Sequence, residues 1–485
     1  MTEYLQTAWP ILLALVERGI AIGAGLHVLL NKRDSRATIS WVGLIWLAPV
    51  IGSLLYFVLG INRIARKGTK LQNHIDAMFQ RLNKHQALEQ ERVAVETLEE
   101  LAQYRPLKEL VGRLTSRPLT YGNHVIPLFN GDEAYPVMLA AIASAQKSIS
   151  LVTYIFDYDA TGREFVEALV AAHHRGVKVR VLIDGVGSRY SRPNTLKLLR
   201  RHGVPSAAFL PTFAPGGFAY ANLRNHRKIM VIDGCTGFTG GMNIREGCRV
   251  ERATKHLVQD MHFKIAGPVV AHLQKTFLAD WAFAAGELLD GDEWLLQDYA
   301  PAGLTFARGV PEGPDEDSEK LVYTMIEAIN IARKRIVVTT PYFLPEQFML
   351  YAIGAAAMRG VEVEFVVPEK NNLRFVQWAS SSSLYSVLEM GCRVFLSPPP
   401  FDHSKLMLVD DAWVLFGSTN WDPRSFHLNF EFNVECYDTE LNRRLTKIID
   451  MKIAHCREIT LETLEKRSFP VKVRDGLARL LTPYL

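Results

Sequence analysis

Two stretches of this chain carry the same potentially reactive residue types at the same spacing. Residues 225–243 read NHRKIMVIDGCTGFTGGMN, and residues 402–420 read DHSKLMLVDDAWVLFGSTN. The shared positions are His226, Lys228, Asp233, Gly240 and Asn243 in the first stretch and His403, Lys405, Asp410, Gly417 and Asn420 in the second, with a constant offset of 177. Chance rarely produces two such copies, so the sequence predicts a duplicated functional motif.

These residue types suit phosphodiester chemistry, which needs a nucleophile, a proton donor for the leaving oxygen and cations around the phosphate oxygens. Two histidines, two lysines and two asparagines supply all three without a metal ion. One imidazole has to be neutral to attack phosphorus and the other protonated to release the alcohol, so a bell-shaped pH profile is expected.

The spacing also predicts how the motif residues are presented. Side chains two residues apart share one face of a strand, so we expect each His–Lys pair to lie on a strand and present an imidazole and an ammonium together. The aspartates follow the lysines at an odd spacing. We therefore expect Asp233 and Asp410 to face the other way and brace the following turn rather than carry protons.

The secondary-structure pattern around the motifs is repeated as well. The predicted strand–helix–strand units are Ser148–Phe156, Gly162–Arg175 and Val177–Ile183, and then Arg335–Phe343, Glu346–Arg359 and Val361–Val367. Short β-branched runs alternating with helical patterns are typical of α/β units with mostly parallel strands. The sequence therefore predicts an α/β fold made of two duplicated domains that pack about a pseudo-twofold axis.

The N-terminal region has the composition of a membrane anchor. Residues 39–61 contain no charged residue and no histidine over 23 positions, enough for a helix to span a bilayer. Residues 10–30 are also long enough, but Glu17 and Arg18 lie near their middle, so this segment either spans the bilayer or lies partly in the interface. Together they predict a transmembrane helical hairpin, with a soluble pair of core helices as the alternative.

Composition and charge indicate that the chain is folded and on which side of the membrane it lies. The 485 residues are 48% hydrophobic and 22% charged, which excludes a disordered chain. The five cysteines form no CxxC pair, and the scarcity of disulfide signals favours a reducing compartment. Basic residues after the hairpin outnumber those in its connector by one; they are Arg63, Arg66, Lys67 and Lys70 against Lys32, Arg33 and Arg36. We therefore predict that the catalytic domains lie on the cytoplasmic side of the cell membrane.

Five segments are predicted along the chain. They are a transmembrane hairpin at 1–61, a juxtamembrane helical connector at 62–117, two α/β domains at 118–310 and 311–460, and an amphipathic tail at 461–485. The acidic stretch Val310–Glu319 is the predicted linker between the domains. In the tail, Val473, Leu477, Leu480 and Leu481 share a helical face with basic residues nearby, which fits either an anionic membrane surface or docking on the catalytic domain.

The paired HxKxxxxD motifs with their GGxN and GSxN extensions resemble the phospholipase D superfamily. The apolar N-terminus, TTPYF at 339–343 and GSTNWDPRSFHLNFEFN at 417–433 resemble more specifically the bacterial cardiolipin synthases, and the resemblance covers nearly the whole chain. It implies two phospholipase D-like domains with one shared active site. It also implies transfer of a phosphatidyl group from one phosphatidylglycerol to another through a phosphatidyl-histidine intermediate, with release of glycerol.

The resemblance also assigns roles to individual residues. It places both His–Lys–Asp sets in the catalytic motif, with His226 as nucleophile and His403 as acid and base. Lys228 and Lys405 would hold phosphate oxygens, helped by the substrate-binding residues Asn243 and Asn420. Asp260 and Glu431 resemble the family's carboxylate partners of the motif histidines. Arg424 either touches a second lipid phosphate or forms a structural ion pair.

Other functions remain open at this stage. The first alternative is a phospholipase D hydrolase that uses water as the acceptor, and the second is a nuclease, which the net charge of +4 and the apolar N-terminus disfavour. A catalytically silent membrane scaffold is the third. No cofactor, metal site or nucleic-acid partner is predicted, phosphatidylglycerol is the expected membrane substrate, and the sequence does not indicate an oligomeric state.

Overall fold

The computed structural model describes residues 2–32, 35–61, 75, 102–211, 222–252, 256–294, 299–314, 319–480 and 482. The chain divides into two compact units, one formed by residues 1–66 and 210–223 and the other by residues 67–209 and 224–485. The predicted connector at 62–117 lies largely outside the described residues, but its end contains a helix, Arg105–Thr115.

The helices are α1 (Thr2–Asn31), α2 (Ser35–Leu47), α3 (Pro49–Leu55), α4 (Arg105–Thr115), α5 (Asn130–Ser144), α6 (Ala160–His174), α7 (Thr195–Arg201), α8 (Val270–Ala285), α9 (Lys320–Ile331), α10 (Gln347–Met358), α11 (Arg374–Glu389), α12 (Pro423–His427), α13 (Thr439–Ile453), α14 (Leu461–Glu465) and α15 (Phe469–Arg479). The strands are β1 (Thr120–Phe129), β2 (Ser148–Thr153), β3 (Lys178–Asp184), β4 (Ser206–Phe209), β5 (Arg224–Asn225), β6 (Ile229–Ile232), β7 (Thr236–Gly240), β8 (Val258–Gln259), β9 (Met261–Ala266), β10 (Thr305–Glu312), β11 (Arg335–Thr339), β12 (Glu362–Pro368), β13 (Arg393–Ser397), β14 (Phe401–Asp402), β15 (Leu406–Val409), β16 (Trp413–Gly417), β17 (Asn429–Tyr437) and β18 (Arg457–Ile459).

The N-terminal unit is a helical hairpin, but its second arm is not the continuous helix predicted for residues 39–61. The arm breaks at Ala48, whose φ of −138° and ψ of 78° are non-helical, and α3 begins at Pro49. A proline disfavours the helical conformation of the residue before it, which explains the break. Among the described residues, only the helical stretch Trp9–Asn31 is long and apolar enough to cross a bilayer.

The hairpin is held by a small set of contacts between its arms. Ala21 and Val28 of the first arm cluster with Ile45 and Tyr56 of the second. The Tyr56 hydroxyl lies 2.8 Å from Nδ1 of His27. This hydrogen bond gives a polar partner to each of the two side chains at a contact that is otherwise made by apolar side chains.

The second unit is built on one large sheet, and its two halves have the same order of strands from the centre of the sheet outward. From the centre outward the first half runs β1-β9-β7-β6-β2-β3-β4 and the second runs β10-β17-β16-β15-β11-β12-β13, with β18 added at the second edge. Strands β1 and β10 pair antiparallel where the halves meet. In each half the outermost three of these strands are mutually parallel and the rest antiparallel. The predicted duplicated α/β fold is confirmed.

Each half has its own apolar core on the sheet. One core includes Ile149, Val179 and Phe165, and the other includes Ile336, Val363 and Met349, so the corresponding strands and helices of both repeats pack alike. The predicted strand–helix–strand units are present in both halves, with ends shifted by a few residues.

Parts of the predicted linker and of the predicted tail belong to regular secondary structure. Residues 310–312 belong to β10, the counterpart of β1, so the prediction of a linker starting at Val310 was wrong at that end; residues 315–318 lie outside the described part. The tail forms α14 and α15, and α15 packs against α11, whereas Leu481 lies outside the described residues. Of the two interpretations of the tail, docking is therefore present in the structure.

Candidate active site

Each motif histidine follows a two-residue strand that pairs with the opposite half of the sheet. β5, directly before His226, pairs with Asn429–Phe430 of β17. β14, directly before His403, pairs with β8 of the first half. The backbone N–H of His226 donates to the carbonyl of Phe430 at 2.9 Å, and that of His403 donates to Gln259 at 2.7 Å.

The spacing had predicted that each His–Lys pair lies on a strand, and this prediction was wrong. Residues 226–228 and 403–405 connect the short strands β5 and β14 to β6 and β15. The cause is the change of pairing partner, because the backbone leaves the opposite half at the histidine and rejoins its own half after the lysine.

The carboxylate partner of each histidine comes from the other half. Nδ1 of His226 lies 3.0 Å from the Glu431 carboxylate, and Nδ1 of His403 lies 2.7 Å from Asp260. Because the carboxylates engage Nδ1, Nε2 is the nitrogen left for reaction in each ring. The two imidazole rings are 6.4 Å apart between centroids, so both motifs meet in one site.

The sheet register shows that the two carboxylates occupy equivalent positions. Gly240 of β7 pairs with His262, and the corresponding Gly417 of β16 pairs with Asn433. Asp260 and Glu431 each lie two residues before these partners. The first copy carries an insertion between Asn243 and Asp260, and this insertion does not disturb the correspondence of the two carboxylates.

Both lysines are buried beside their histidines. Nζ of Lys228 donates to the carbonyl of His226, and Nζ of Lys405 donates to that of His403. Burial lowers the pKa of Lys228 to about 7 and that of Lys405 to about 8, and Lys405 adds to the effect on Lys228 because the two ammonium groups repel each other. A site that depresses ammonium pKa values favours the entry of an anion.

The histidines respond to the same environment. Burial lowers the pKa of His226 below its ordinary value, and burial together with Lys405 lowers that of His403 to about 4. Glu431 and Asp260 oppose these shifts through charge and hydrogen bonding. Although burial acts in the opposite direction, the charge of His226 holds the pKa of Glu431 below its usual value. Each carboxylate is thus placed to stabilise a proton on its imidazole.

The two asparagines follow strands β7 and β16 and differ in their contacts. Oδ1 of Asn243 accepts the backbone N–H of Ile155 at 3.1 Å. Nδ2 of Asn420 lies 3.3 Å from the Ser425 hydroxyl, and its buried Oδ1 has no hydrogen-bond partner among the described residues.

The two motif aspartates lie in the turns that follow β6 and β15. The Asp233 carboxylate accepts the backbone N–H groups of residues 146, 147 and 148 at 2.7 to 2.9 Å. Asp410 does the same for residues 333, 334 and 335. Their hydrogen bonds thus go to the beginnings of β2 and β11 and not to the imidazoles.

Several residues near the site had been given no role from the sequence, although two of them, Tyr342 and Ser418, lie within the quoted stretches 339–343 and 417–433. The Tyr154 ring is 5.3 Å from the His226 ring and 5.6 Å from Nζ of Lys228, and the Tyr342 ring is 6.4 Å from the His403 ring. The Ser418 hydroxyl donates to Glu431. The available signal was position, since both tyrosines follow the carboxyl ends of parallel strands, where α/β sheets bind ligands.

No group of three or more His, Cys, Asp and Glu side chains among the described residues has the arrangement of a metal site. The arrangement instead offers two imidazoles with carboxylate partners and two buried ammonium groups around one space. A duplicated α/β sheet that brings two His–Lys motifs together in this way defines a protein of the phospholipase D class.

Comparisons with known proteins narrow the class. The family described as "Cardiolipin synthase, PLD-like domain" matches residues 138–281 and 325–453, and the "Phospholipase_D-nuclease N-terminal" family matches residues 19–60. The chain is 32% identical over 466 residues to the cardiolipin synthase of Geobacillus kaustophilus, covering 95% of this chain and 91% of that protein. It is 30% identical to the major cardiolipin synthase ClsA of Bacillus subtilis, covering 94% and 95%. The chain therefore belongs to the cardiolipin synthase family.

A solved structure supports the fold independently. The phosphatidylserine synthase of Haemophilus influenzae aligns with a TM-score of 0.62 at 17% identity, covering 78% of this chain and all of that one.

Proposed function

We propose that this protein transfers a phosphatidyl group from one phosphatidylglycerol to the hydroxyl of a second, making cardiolipin and releasing glycerol. Family membership supports the overall reaction. The observation that carries the mechanism is the pair of facing imidazoles, 6.4 Å apart, each backed by a carboxylate from the opposite half.

In the first step, Nε2 of His226 attacks the donor phosphorus. A P–N bond forms, the bond from phosphorus to the glycerol oxygen breaks, and protonated His403 gives its proton to that oxygen. The products are free glycerol and a phosphatidyl-histidine. Lys228 and Lys405 stabilise the negative charge on the non-bridging oxygens, and Asn243 and Asn420 orient the same group.

In the second step, His403 works as a base. It takes the proton of the acceptor lipid's hydroxyl while that oxygen attacks phosphorus and the P–N bond breaks. Cardiolipin leaves, and both histidines return to their starting protonation. Transfer to a lipid rather than to water requires that water be limited while the intermediate exists.

The overall reaction is tested with purified full-length protein and phosphatidylglycerol in detergent micelles. We expect cardiolipin and glycerol in equal amounts, with production abolished in His226→Ala and in His403→Ala. Phosphatidic acid as the only lipid product would make the protein a hydrolase and overturn the proposal.

The order of the histidines is tested with a donor whose leaving group needs no proton, a phosphatidyl p-nitrophenol. His403→Ala should then release nitrophenol once and retain a lipid covalently attached at His226, detectable by mass spectrometry. His226→Ala should show neither release nor attachment. A covalent adduct on His403 in the His226→Ala variant would reverse the assignment.

The apolar hairpin supports a second proposal, that both arms enter the membrane and that the catalytic unit lies on the cytoplasmic side. Cys235 is an exposed cysteine of the catalytic unit. A membrane-impermeant maleimide should label it only after the cells are permeabilised. Labelling of intact cells to the same extent, with Cys235→Ser as the negative control, would place the unit on the outer side.

A further inference from the structure

The C-terminal helix α15 is docked on the catalytic unit by one of its faces. Ala478 is buried in a cluster with Leu344, Val376 and Ala379, the last two from α11. The guanidinium of Arg474 lies 4.6 Å from the centre of the Trp378 ring, a cation–π distance. These contacts fix the orientation of α15 about its own axis.

Polar contacts hold the same face. Nη1 of Arg479 donates to the Ser382 hydroxyl of α11 at 3.1 Å. The buried carboxylate of Asp475 pairs with Arg474 at 2.8 Å and with Arg467 of the preceding turn. The helix is therefore positioned by side chains on both of its flanks and not by apolar contact alone.

The opposite face presents a row of apolar side chains to solvent. Phe469, Val473, Leu477 and Leu480 are separated by four, four and three residues, so they lie on one side of the helix. Their exposed fractions are 78%, 44%, 61% and 69%. Exposure of every member of a continuous apolar row indicates a surface that another phase or molecule covers.

Charge indicates what covers this row. Residues 466–480 contain five basic residues, Lys466, Arg467, Lys472, Arg474 and Arg479, and one acidic residue, Asp475, which is itself buried in ion pairs. Of these basic side chains, Lys466, Lys472 and Arg479 are exposed, whereas Arg467 and Arg474 are half-buried beside Asp475. An apolar row flanked by exposed Lys and Arg side chains is typical of helices that lie in the interface of an anionic bilayer.

The docked face connects α15 to the candidate site. Tyr342 packs against the cluster that contains Ala478, and its ring lies 6.4 Å from the His403 ring. A helix in the bilayer interface would therefore hold the imidazoles close to the lipid headgroups. Substrates that never leave the membrane need such a placement.

We propose that α15 is an interfacial membrane-binding helix that inserts its row of Phe469, Val473, Leu477 and Leu480 into an anionic phospholipid surface and holds the active site against it. This role is separate from the N-terminal hairpin and goes beyond the transfer chemistry. The partner is the bilayer itself, recognised by its apolar interior and its negative headgroups.

The first test measures lipid contact without any turnover. Leu477→Cys in a Cys235→Ser background carries a bimane fluorophore in proteoliposomes that contain phosphatidylglycerol and a nitroxide-labelled phosphatidylcholine. The matched control is Met358→Cys, whose native side chain is 80% exposed at the end of α10. We expect the label at 477 to be quenched about threefold more than the control label.

Equal quenching at the two positions would overturn the proposal. So would a change in the fluorescence of the label at 477 with protein concentration in detergent alone, since that outcome assigns the row to a second copy of the chain. Because no step of this measurement requires catalysis, its result stands whether or not the proposed transfer reaction is correct.

The second test separates membrane placement from chemistry. Leu477→Glu should lower cardiolipin formation about tenfold in phosphatidylglycerol vesicles, where the helix must insert, and leave it within about twofold in mixed micelles, where detergent surrounds the site. Met358→Glu should match the unmodified protein in both media. An equal loss in both media would show a structural role for the helix, and no loss in vesicles would remove its role at the membrane; either result overturns the proposal.

Discussion

Nδ1 of His403 lies 2.7 Å from the carboxylate of Asp260, although the two residues belong to opposite halves of the duplicated sheet. The corresponding contact in the other repeat joins Nδ1 of His226 to the carboxylate of Glu431 at 3.0 Å. Each half thus supplies an imidazole to the site and the carboxylate that orients the imidazole of the other. Neither half contains a complete set alone, which gives a physical reason for the two repeats to act as one site.

The crossed pairs predict a distinct pH response for each carboxylate. Asp260 raises the pKa of His403, so Asp260→Asn lowers it and leaves less of the protonated acid. A bound anionic phosphodiester raises the pKa of His403 from its value of about 4 in the free protein. In the pH profile of kcat, which reports the enzyme–lipid complex, the basic limb should therefore move to lower pH, and kcat should fall about 100-fold.

Glu431→Gln is the matched variant and should act on the other limb. It lowers the pKa of His226, so the nucleophile stays neutral to lower pH and the acidic limb moves down. Profiles measured between about pH 5 and 9 distinguish the two cases. If Asp260→Asn moves the acidic limb instead, the two histidines exchange their proposed roles.

Binding of an anionic phosphodiester should take up protons. Without a bound anion, the pKa values of Lys228 and Lys405 are lowered to about 7 and about 8, so the ammonium groups are partly deprotonated near pH 8. A bound phosphate raises both values and draws protons from solution. Titration calorimetry with a non-hydrolysable phosphonate analogue, in buffers of different ionisation enthalpy, measures this uptake.

The same titration at pH 6 is the control, and both measurements use a variant with His226→Ala and His403→Ala, because the histidines also have lowered pKa values and would take up protons at pH 6. Both lysines are already protonated at pH 6, so the uptake from them should disappear. A proton count that does not change between the two pH values would contradict the lowered lysine pKa values.

Asp233→Asn should affect stability more than catalysis. Both oxygens of the carboxylate accept backbone N–H groups at the start of β2. In asparagine the amide oxygen still accepts from residues 147 and 148, but its NH2 group then faces the backbone N–H of residue 146, and two donors cannot form a hydrogen bond. Residue 233 has a φ of 52°, a conformation that asparagine tolerates, so the turn itself is retained. We expect a loss of about 2 kcal/mol in the free energy of unfolding.

The measurement is a thermal unfolding midpoint together with the activity of the folded fraction. A normal midpoint with abolished activity would show that Asp233 takes part in the reaction directly.

Arg308 and Glu435 form a buried ion pair between the neighbouring strands β10 and β17 of the second half. Their side chains are 1% and 0% exposed, with Nε of Arg308 2.7 Å from Glu435. Arg308→Met leaves an uncompensated buried carboxylate and should cost about 3–5 kcal/mol of unfolding free energy. Thermal unfolding in detergent checks this loss.

Two controls sharpen that experiment. Arg443→Met breaks a fully exposed pair with Glu440 and should leave the unfolding midpoint unchanged. Adding Glu435→Gln to Arg308→Met should restore part of the midpoint, because the amide removes the charge yet still accepts from Trp413 and Tyr437. A double variant no more stable than Arg308→Met would indicate lost packing rather than an unpaired charge.

Much of the architecture follows from local patterns in the sequence. The repeated strand–helix–strand units and the hydrophobic cores of both halves follow from periodicity, which each segment expresses on its own. The duplicated motifs also indicated which residues to examine, since matching His, Lys, Asp and Asn positions recur at a constant offset.

Local patterns were misleading where the backbone changes its direction or its pairing partner. The spacing of His226 and Lys228 predicted a strand, but the backbone there passes from one half of the sheet to the other. The charge-free run at 39–61 predicted one helix, but the local effect of Pro49 breaks it. The length and polarity of a segment do not show where its backbone changes direction.

The sequence by itself determined the duplicated α/β fold, the motif residues and the type of chemistry, because these depend on residue types and on spacing along one segment. Only the tertiary structure decided which carboxylate serves which histidine, since the partners are 205 and 143 residues apart in the chain. It also decided the lowered lysine pKa values and the orientation of α15. Burial, charge repulsion and helix docking arise from residues brought together by folding, and no local pattern contains them.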